Sequence, residues 1–226
     1  MKYNKIFLAK KLSGQTRDDI SSGCKLEGGD LTIILKNLDS CDFIRVYYNP
    51  SKKEKGKMYQ LTDMFSLFYL RFVRGHDGRD EHYWTHMNQS GGRNAWSGYA
   101  FEQVCLHHVN QIKNKLGISG IQSDIYAWSE KEFIDSDGTH WEGGQIDLII
   151  DRSDNVMNLC ELKYSKDEYA ISRKYKETIM KRASCFRHRV KTKKALRCTF
   201  VTTHGVKKND HCDIVDDYVE VKDLFQ

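Results

Sequence analysis

The fold is decided by Gly144-Gln145-Ile146-Asp147-Leu148-Ile149-Ile150-Asp151-Arg152-Ser153-Asp154-Asn155-Val156-Met157-Asn158-Leu159-Cys160-Glu161-Leu162-Lys163-Tyr164. Two apolar runs flank a polar turn, so the stretch reads as two strands, and the first is a buried strand interrupted by one acid, Asp147. An uncompensated carboxylate on a core strand is costly, so such a residue has a partner or binds a metal. Alternation with period two sets Glu161 and Lys163 on one face of the second strand. If the strands pair antiparallel about residue 154, positions whose numbers sum to 308 lie opposite each other, which makes Asp147 and Glu161 cross-strand neighbours beside Lys163. Two acids so close repel unless a cation joins them, and an all-oxygen pair suits Mg²⁺ or Mn²⁺. The lysine can orient or help deprotonate a hydrolytic water, or offset charge growing on a phosphoryl group. The plainer reading of the same residues is a salt-bridged hairpin.

Upstream, helical spacing runs from Ser97 to Leu116, with Gly117 as its stop and Phe101, Cys105, His108, Ile112 and Leu116 as its stripe. Glu102 falls at the margin of that stripe, partly desolvated or simply on the surface. Charge is segregated around this region. Residues 124–161 hold ten acids and two bases, whereas residues 163–208 hold fifteen bases and three acids. The layout suits an acidic metal centre framed by a basic surface for a phosphate backbone, and a lysine-rich solvated helix face is the alternative.

The first third has a different character, with sixteen Lys and Arg against eleven acids over residues 1–94. A short helix is expected over 3–11, a second over 17–22 capped by Thr16, and a third capped by Asp30 that aligns Leu31, Ile34, Leu35 and Leu38. Phe43 to Tyr48 and Met58 to Leu61 are β-prone and enclose a basic tip. The order resembles a winged helix-turn-helix. In a DNA-binding version, Lys36 and Asn37 of the third helix are the groove readers, and Lys52, Lys53, Lys55 and Lys57 contact phosphates. Winged helices also serve as protein-interaction or spacer modules. Residues 62–74 read as an apolar helix capped by Thr62 or Asp63, and the stretch to Gly92 as a linker whose Trp84 and Trp96 pack between domains. His82 and His86 read as a helix-surface pair. The domains expected are therefore 1–62, a helical connector and linker over 63–94, and 95–226.

The whole chain has 226 residues, 39% of them hydrophobic and 30% charged, with one proline and a formal net charge of +5. That composition excludes collagen-like, low-complexity and wholly disordered classes. No apolar run approaches a membrane span, the start lacks the pattern of a signal peptide, and the seven cysteines contain no CxxC pair. A cytoplasmic protein with reduced thiols and no membrane partner is expected.

Glu102, Asp147 and Glu161-Leu162-Lys163, in that order on helix, strand and strand, resemble the signature of the PD-(D/E)xK nuclease superfamily. More closely, GYAFEQVCLHH, GQIDLIIDR, LCELKYSKDEYAI and FVTTHGVKKN resemble the C-terminal nuclease-like region of a family of bacterial and archaeal AAA-type ATPases, in which a winged helix follows the ATPase core. The likeness extends over nearly the whole chain. Two departures stand out: Ile146 replaces the proline before the acid, and no GxxxxGK[ST] phosphate loop is present, so ATP hydrolysis is not expected.

The resemblance implies a restriction-endonuclease-like αβββαβ core with a mixed sheet after the winged helix, in the α/β class. It implies Mg²⁺ (or Mn²⁺) held by Asp147 and Glu161, with the carbonyl of Leu162 adding a ligand and Glu102 contributing through water. Lys163 would position the nucleophile and Gln145 help to orient it. A helix over Asp167 to Val190 would carry Ile171, Tyr175, Ile179, Ala183, Phe186 and Val190 inward and direct Arg173, Lys174, Lys181 and Arg182 toward phosphate. Ala195 to Thr203 and Val215 to Val221 would add strands. The function implied is metal-dependent cleavage of DNA, with an AAA-type ATPase domain or subunit as a further partner. The alternatives are a catalytically inert nucleic-acid-binding or ATPase-docking module, and a transcription regulator working through the winged helix alone.

Overall fold

The structure is a computed structural model that describes Leu8 and residues 14–48, 57–75, 78–86 and 91–226. It divides into two compact units, Met1–Tyr48 with Lys52–Tyr99 and, separately, Ala100–Gln226.

In the first unit, β1 (Gln15–Thr16) leads into α1 (Arg17–Cys24). Thr16 caps α1 reciprocally: its hydroxyl accepts the Asp19 backbone N–H, and the Asp19 carboxylate accepts the Thr16 N–H. Helix α2 (Gly28–Ser40) buries Leu31, Leu35 and Leu38. It begins two residues before the expected Asp30 cap, with Glu27 at the N-cap and Asp30 inside the first turn, where its charge still complements the helix dipole. Strands β2 (Ile44–Tyr48) and β3 (Lys57–Leu61) pair antiparallel, from Ile44 opposite Leu61 to Tyr48 opposite Lys57, and β1 joins the far edge of β3. Of the helix expected over 3–11 only Leu8 lies within the described residues, and it is helical and buried.

The apolar helix expected over 62–74 is shorter and mixed. Asp63 accepts the Ser66 N–H to cap α3 (Met64–Phe68), which widens into a π-turn over Tyr69–Val73. Trp84, on α4 (Tyr83–His86), and Trp96 pack edge-on against Phe68 and Phe72 within the first unit. His86 pairs with Asp80 at an exposed position, as a surface histidine would.

The helix expected over 97–116 starts earlier and is broken. Helix α5 (Gly91–His107) and α6 (Val109–Lys115) meet at His108, whose N–H is shared between Val104 and Cys105 carbonyls while its ring nitrogen bonds the Val104 carbonyl. In the second unit the strands β4 (Ser123–Glu130), β7 (Gly144–Arg152), β8 (Val156–Lys163), β9 (Ala195–Thr202) and β10 (Asp217–Glu220) form one mixed sheet in the order β10-β9-β8-β7-β4. The β4–β7 and β7–β8 pairs are antiparallel, and the β8–β9 and β9–β10 pairs are parallel. A two-stranded arm, β5 (Phe133–Ile134) with β6 (His140–Trp141), interrupts the passage from β4 to β7.

Helices cover the sheet on both faces. Phe101, Cys105 and Ile112 pack with Leu148, Ile150, Cys160 and Leu162 on one side. On the other, α7 (Arg173–Val190) places Cys185 and Phe186 with Trp128, Ile149, Met157 and Leu159. Helix α7 begins six residues later than expected because Ser172 caps it through the Tyr175 N–H. The preceding segment instead bridges in parallel to Val206 through Tyr169. The architecture is mixed α/β with a five-stranded mixed sheet.

Candidate active site at the end of the β7–β8 ladder

The β7–β8 ladder follows the expected register: Leu148 faces Cys160, Ile149 faces Leu159, Ile150 faces Asn158 and Asp151 faces Met157. Asn155, at φ 63°, supplies the left-handed turn residue that closes the hairpin. The ladder ends at Leu148–Cys160, so Asp147 and Glu161 are the first residues beyond it on their two strands.

The reason lies on the other side of β7. Tyr126 of β4 faces Ile149 and Trp128 faces Ile146, so Asp147 and Leu148 together oppose the single residue Ala127. Asp147 therefore occupies a β-bulge, a feature that ends pairing and re-aims a side chain. The strict alternation expected for β7 breaks there: Ile146 and Ile149, three residues apart, pack in one cluster with Trp128 and Phe186, so Asp147 goes with Leu148 to the other face, whereas Glu161, between Cys160 and Leu162 on β8, faces α7 with Ile146 and Leu159; the expected cross-strand pair on one face is not formed. The Asp147 carboxylate is half-buried and accepts a 2.5 Å hydrogen bond from Gln145 Nε2.

Glu161 is buried, 6% exposed, and both its oxygens are engaged. Arg182 Nη2 donates to Oε1, and the Tyr175 hydroxyl donates to Oε2 at 2.5 Å. Lys163 Nζ lies 3.8 Å from Oε2 and 5.1 Å from the centroid of the Tyr175 ring. Burial first, and then the Glu161 carboxylate, push the Tyr175 phenol well above its ordinary value, so it acts as a neutral donor. Arg182 Nη1 also donates to the Gln145 carbonyl at 3.0 Å. One guanidinium thus ties β7 to β8 at the level where their ladder has stopped.

Gly144 makes room for this tie. A Cβ there would lie 2.9 Å from Arg182 Cγ, so the missing side chain lets the arginine stem cross the strand. A cavity of about 280 Å³ opens beside Glu161 and Arg182, with Ile146, Met180, Cys198 and Asp216 among its walls. Burial and, secondarily, the Glu161 charge push the Cys198 thiol up to about 12.

The remaining expected site residues are dispersed. Glu102 is half-buried on α5, whose neighbours Phe101 and Cys105 pack against the Leu148, Ile150 and Cys160 face of the sheet. Among the described residues no three His, Cys, Asp or Glu side chains form a group able to hold a metal, so Glu102 is not gathered with Asp147 and Glu161 as a third ligand. Arg182 corrects the expectation of an outward cation on α7: its side chain is 16% exposed and spent on Glu161. Arg173 pairs with Glu177 and Lys181 with Glu142 on the exposed surface, and Lys174 is exposed. Lys36 and Asn37 are exposed on α2 and Lys57 is exposed at the start of β3, whereas Lys52, Lys53 and Lys55 lie outside the described residues. Tyr175 and Arg182, expected as a packing residue and as a phosphate contact, are instead the partners of Glu161, a role that sequence reasoning did not assign them. Their signal was spacing: seven apart on α7, they share the face that meets β8.

As a donor set, Asp147, Glu161 and the Leu162 carbonyl offer the hard oxygens that Mg²⁺ or Mn²⁺ takes. The oxygens suit such an ion in type, but in the structure Asp147 is held by Gln145 and both Glu161 oxygens by Arg182 and Tyr175, so they are not gathered around one point. No helix among the described residues is long and apolar enough to cross a membrane. Comparison with known protein families, with curated proteins and with solved structures returned no match.

Proposed function

We propose that this chain is a metal-dependent nuclease acting on DNA, built as a winged helix-turn-helix followed by a PD-(D/E)xK-type core. The observation that carries the reading is the placement of Asp147 and Glu161 as the first residues past the end of one ladder, Asp147 on a bulge, with Lys163 3.8 Å from Glu161. An acid on a bulge at a ladder's end, with a second acid and a lysine at the end of the partner strand, departs from what packing alone requires. The element order α5-α6-β4-β7-β8-α7-β9 and the three-stranded β1-β3-β2 sheet, whose β2–β3 hairpin follows α1 and α2, support the two fold assignments.

Asp147 and Glu161 would hold Mg²⁺ or Mn²⁺, and the ion would supply Lewis-acid stabilisation of a phosphoryl group. Lys163, about one-third exposed, can hold a water or offset charge on the phosphodiester, and Gln145 fixes the Asp147 carboxylate through its amide. Exposed Lys36 and Asn37 on α2, and Lys174 on α7, are the phosphate- and groove-facing candidates. Incubation of the chain with plasmid, linear duplex and single-stranded DNA in Mg²⁺, in Mn²⁺ and in EDTA tests the reading. Cleavage that requires metal supports it, and the absence of cleavage of every substrate in both metals contradicts it.

A second reading, an inert nucleic-acid-binding or ATPase-docking module, is favoured by one observation: both Glu161 oxygens are already satisfied by Arg182 and Tyr175. Calorimetric titration with Mn²⁺ separates the two, since the inert module binds none up to millimolar concentration.

A further inference from the structure

We propose that the first unit carries a binding site for a phosphate monoester: a cavity of about 210 Å³ between α1, α2 and the β2–β3 hairpin, with Arg17, Lys36 and Lys57 around it. The proposal goes beyond the nuclease reading and does not depend on it.

Three observations carry it. Cations converge on the cavity from separate elements: Arg17 opens α1, Lys36 lies on α2 and Lys57 starts β3, and among the described lining residues they face a single acid, Asp39. The excess of positive charge suits a monoester, which carries close to two negative charges at neutral pH, better than a phosphodiester with one. The arginine is also held ready. Its Nη2 donates to the Gly28 carbonyl at 2.8 Å and to Thr32 Oγ1 at 2.9 Å, so the start of α2 fixes the guanidinium at the cavity wall. A fork fixed in this way loses little freedom when its other N–H groups take a phosphate. Lys36 makes no hydrogen bond or ion pair among the described residues, although Asp39 stands three residues further along the same helix, so its ammonium is open to a ligand. Finally, the floor is apolar, with buried Leu35 and with Val46 paired across the hairpin to Tyr59. A concavity of this size admits a terminal phosphate and part of its organic body, whereas an internal phosphodiester, extended on both sides, lies across the mouth.

The recognised group can come from two sources, a free mononucleotide or the phosphorylated end of a DNA strand. In both, the phosphate takes the place between the three cations and the nucleoside lies toward the floor, where the Asp39 carboxylate can accept from a hydroxyl or amino group.

Calorimetric titration of deoxyadenosine monophosphate and of deoxyadenosine into the full chain in EDTA tests the site, with Lys36→Gln, Arg17→Gln and, as a control, the exposed Lys131→Gln beside the unsubstituted protein. Fluorescence anisotropy then compares a short DNA duplex with phosphorylated ends against the same duplex with hydroxyl ends. The monophosphate is expected to bind at least about tenfold tighter than the nucleoside, a preference that Lys36→Gln and Arg17→Gln remove and Lys131→Gln keeps. Lys36 is exposed and makes no bond that the fold requires, so its variant decides if Arg17→Gln does not fold. A preference for the phosphorylated duplex that is lost in Lys36→Gln supports the site and assigns it to strand ends. Tighter monophosphate binding with equal affinity for the two duplexes supports it and assigns it to free monoesters. Equal binding of monophosphate and nucleoside, or of neither, together with equal affinity for the two duplexes overturns the proposal. A phosphate preference that Lys36→Gln leaves unchanged also overturns it.

Discussion

At the scale of single residues, the two candidate metal ligands are held in opposite ways. Glu161 is buried and its charge is matched by Arg182 and Lys163, whereas Asp147 is half-buried and has Gln145 as its recorded partner. Their amide substitutions should therefore separate stability from activity. Glu161→Gln leaves the Arg182 guanidinium without its counter-charge and is expected to cost about 3–5 kcal/mol in urea denaturation. Asp147→Asn keeps an oxygen to accept the Gln145 amide and should stay within about 0.5 kcal/mol of the unsubstituted chain while losing metal-dependent cleavage. Equal destabilisation by the two would mean that Asp147 is as structural as Glu161. The acids and the lysine were legible in the sequence because buried-strand context makes a carboxylate conspicuous. Arg182 was not, because a basic residue on an amphipathic helix reads as surface until the facing strand is known to carry an unpaired acid.

Elements carry the next level of the account. The register of β7 against β8 could be read from the sequence because an Asp154-Asn155 turn fixes the hairpin centre and one apolar face must be buried. The bulge at Asp147 could not, since it is defined by β4, a strand that lies across a two-stranded arm in the sequence and whose pairing no local pattern predicts. The break at His108 was hidden for a similar reason: its residues keep helical periodicity, and only the shared hydrogen bonds of its N–H disclose the change. Two substitutions test how these elements are held. Thr16→Ala removes one half of a reciprocal cap and should destabilise the first unit by about 1 kcal/mol, seen as a lower denaturation midpoint. Phe186→Ala empties a fully buried position packed edge-on against Trp128, at 5.5 Å between ring centroids, and should cost about 3–5 kcal/mol in the second unit. An effect of Phe186→Ala below about 1 kcal/mol would place α7 outside the core.

Over the whole molecule, charge and burial set the conditions under which it persists. The seven cysteines are free, and Cys105, Cys160 and Cys198 have thiols raised by burial, Cys198 from an ordinary 9.0 to about 12. Because these groups hold their protons more tightly folded than unfolded, the stability they contribute is complete below about pH 9 and is lost as pH rises from there toward 12. The melting temperature of the chain should hold steady from pH 7 to about pH 9 and fall above it, and thermal scans across that range would show the turn. The acidic block over 124–161 and the basic block over 163–208 meet in the folded chain, where Arg182 answers Glu161, Lys194 answers Asp151 and Arg189 answers Glu130. Segregation in sequence thus becomes pairing in space, and part of the basic surface expected to face phosphate is spent internally. What remains exposed, with the acids at the end of the β7–β8 ladder, is the basis of the nuclease proposal. The most direct test is cleavage of supercoiled plasmid in Mg²⁺ by the unsubstituted chain, Asp147→Asn and Lys163→Ala, each verified as folded. The account predicts metal-dependent cleavage by the first and its loss in both variants, and unchanged cleavage by the two variants would contradict it.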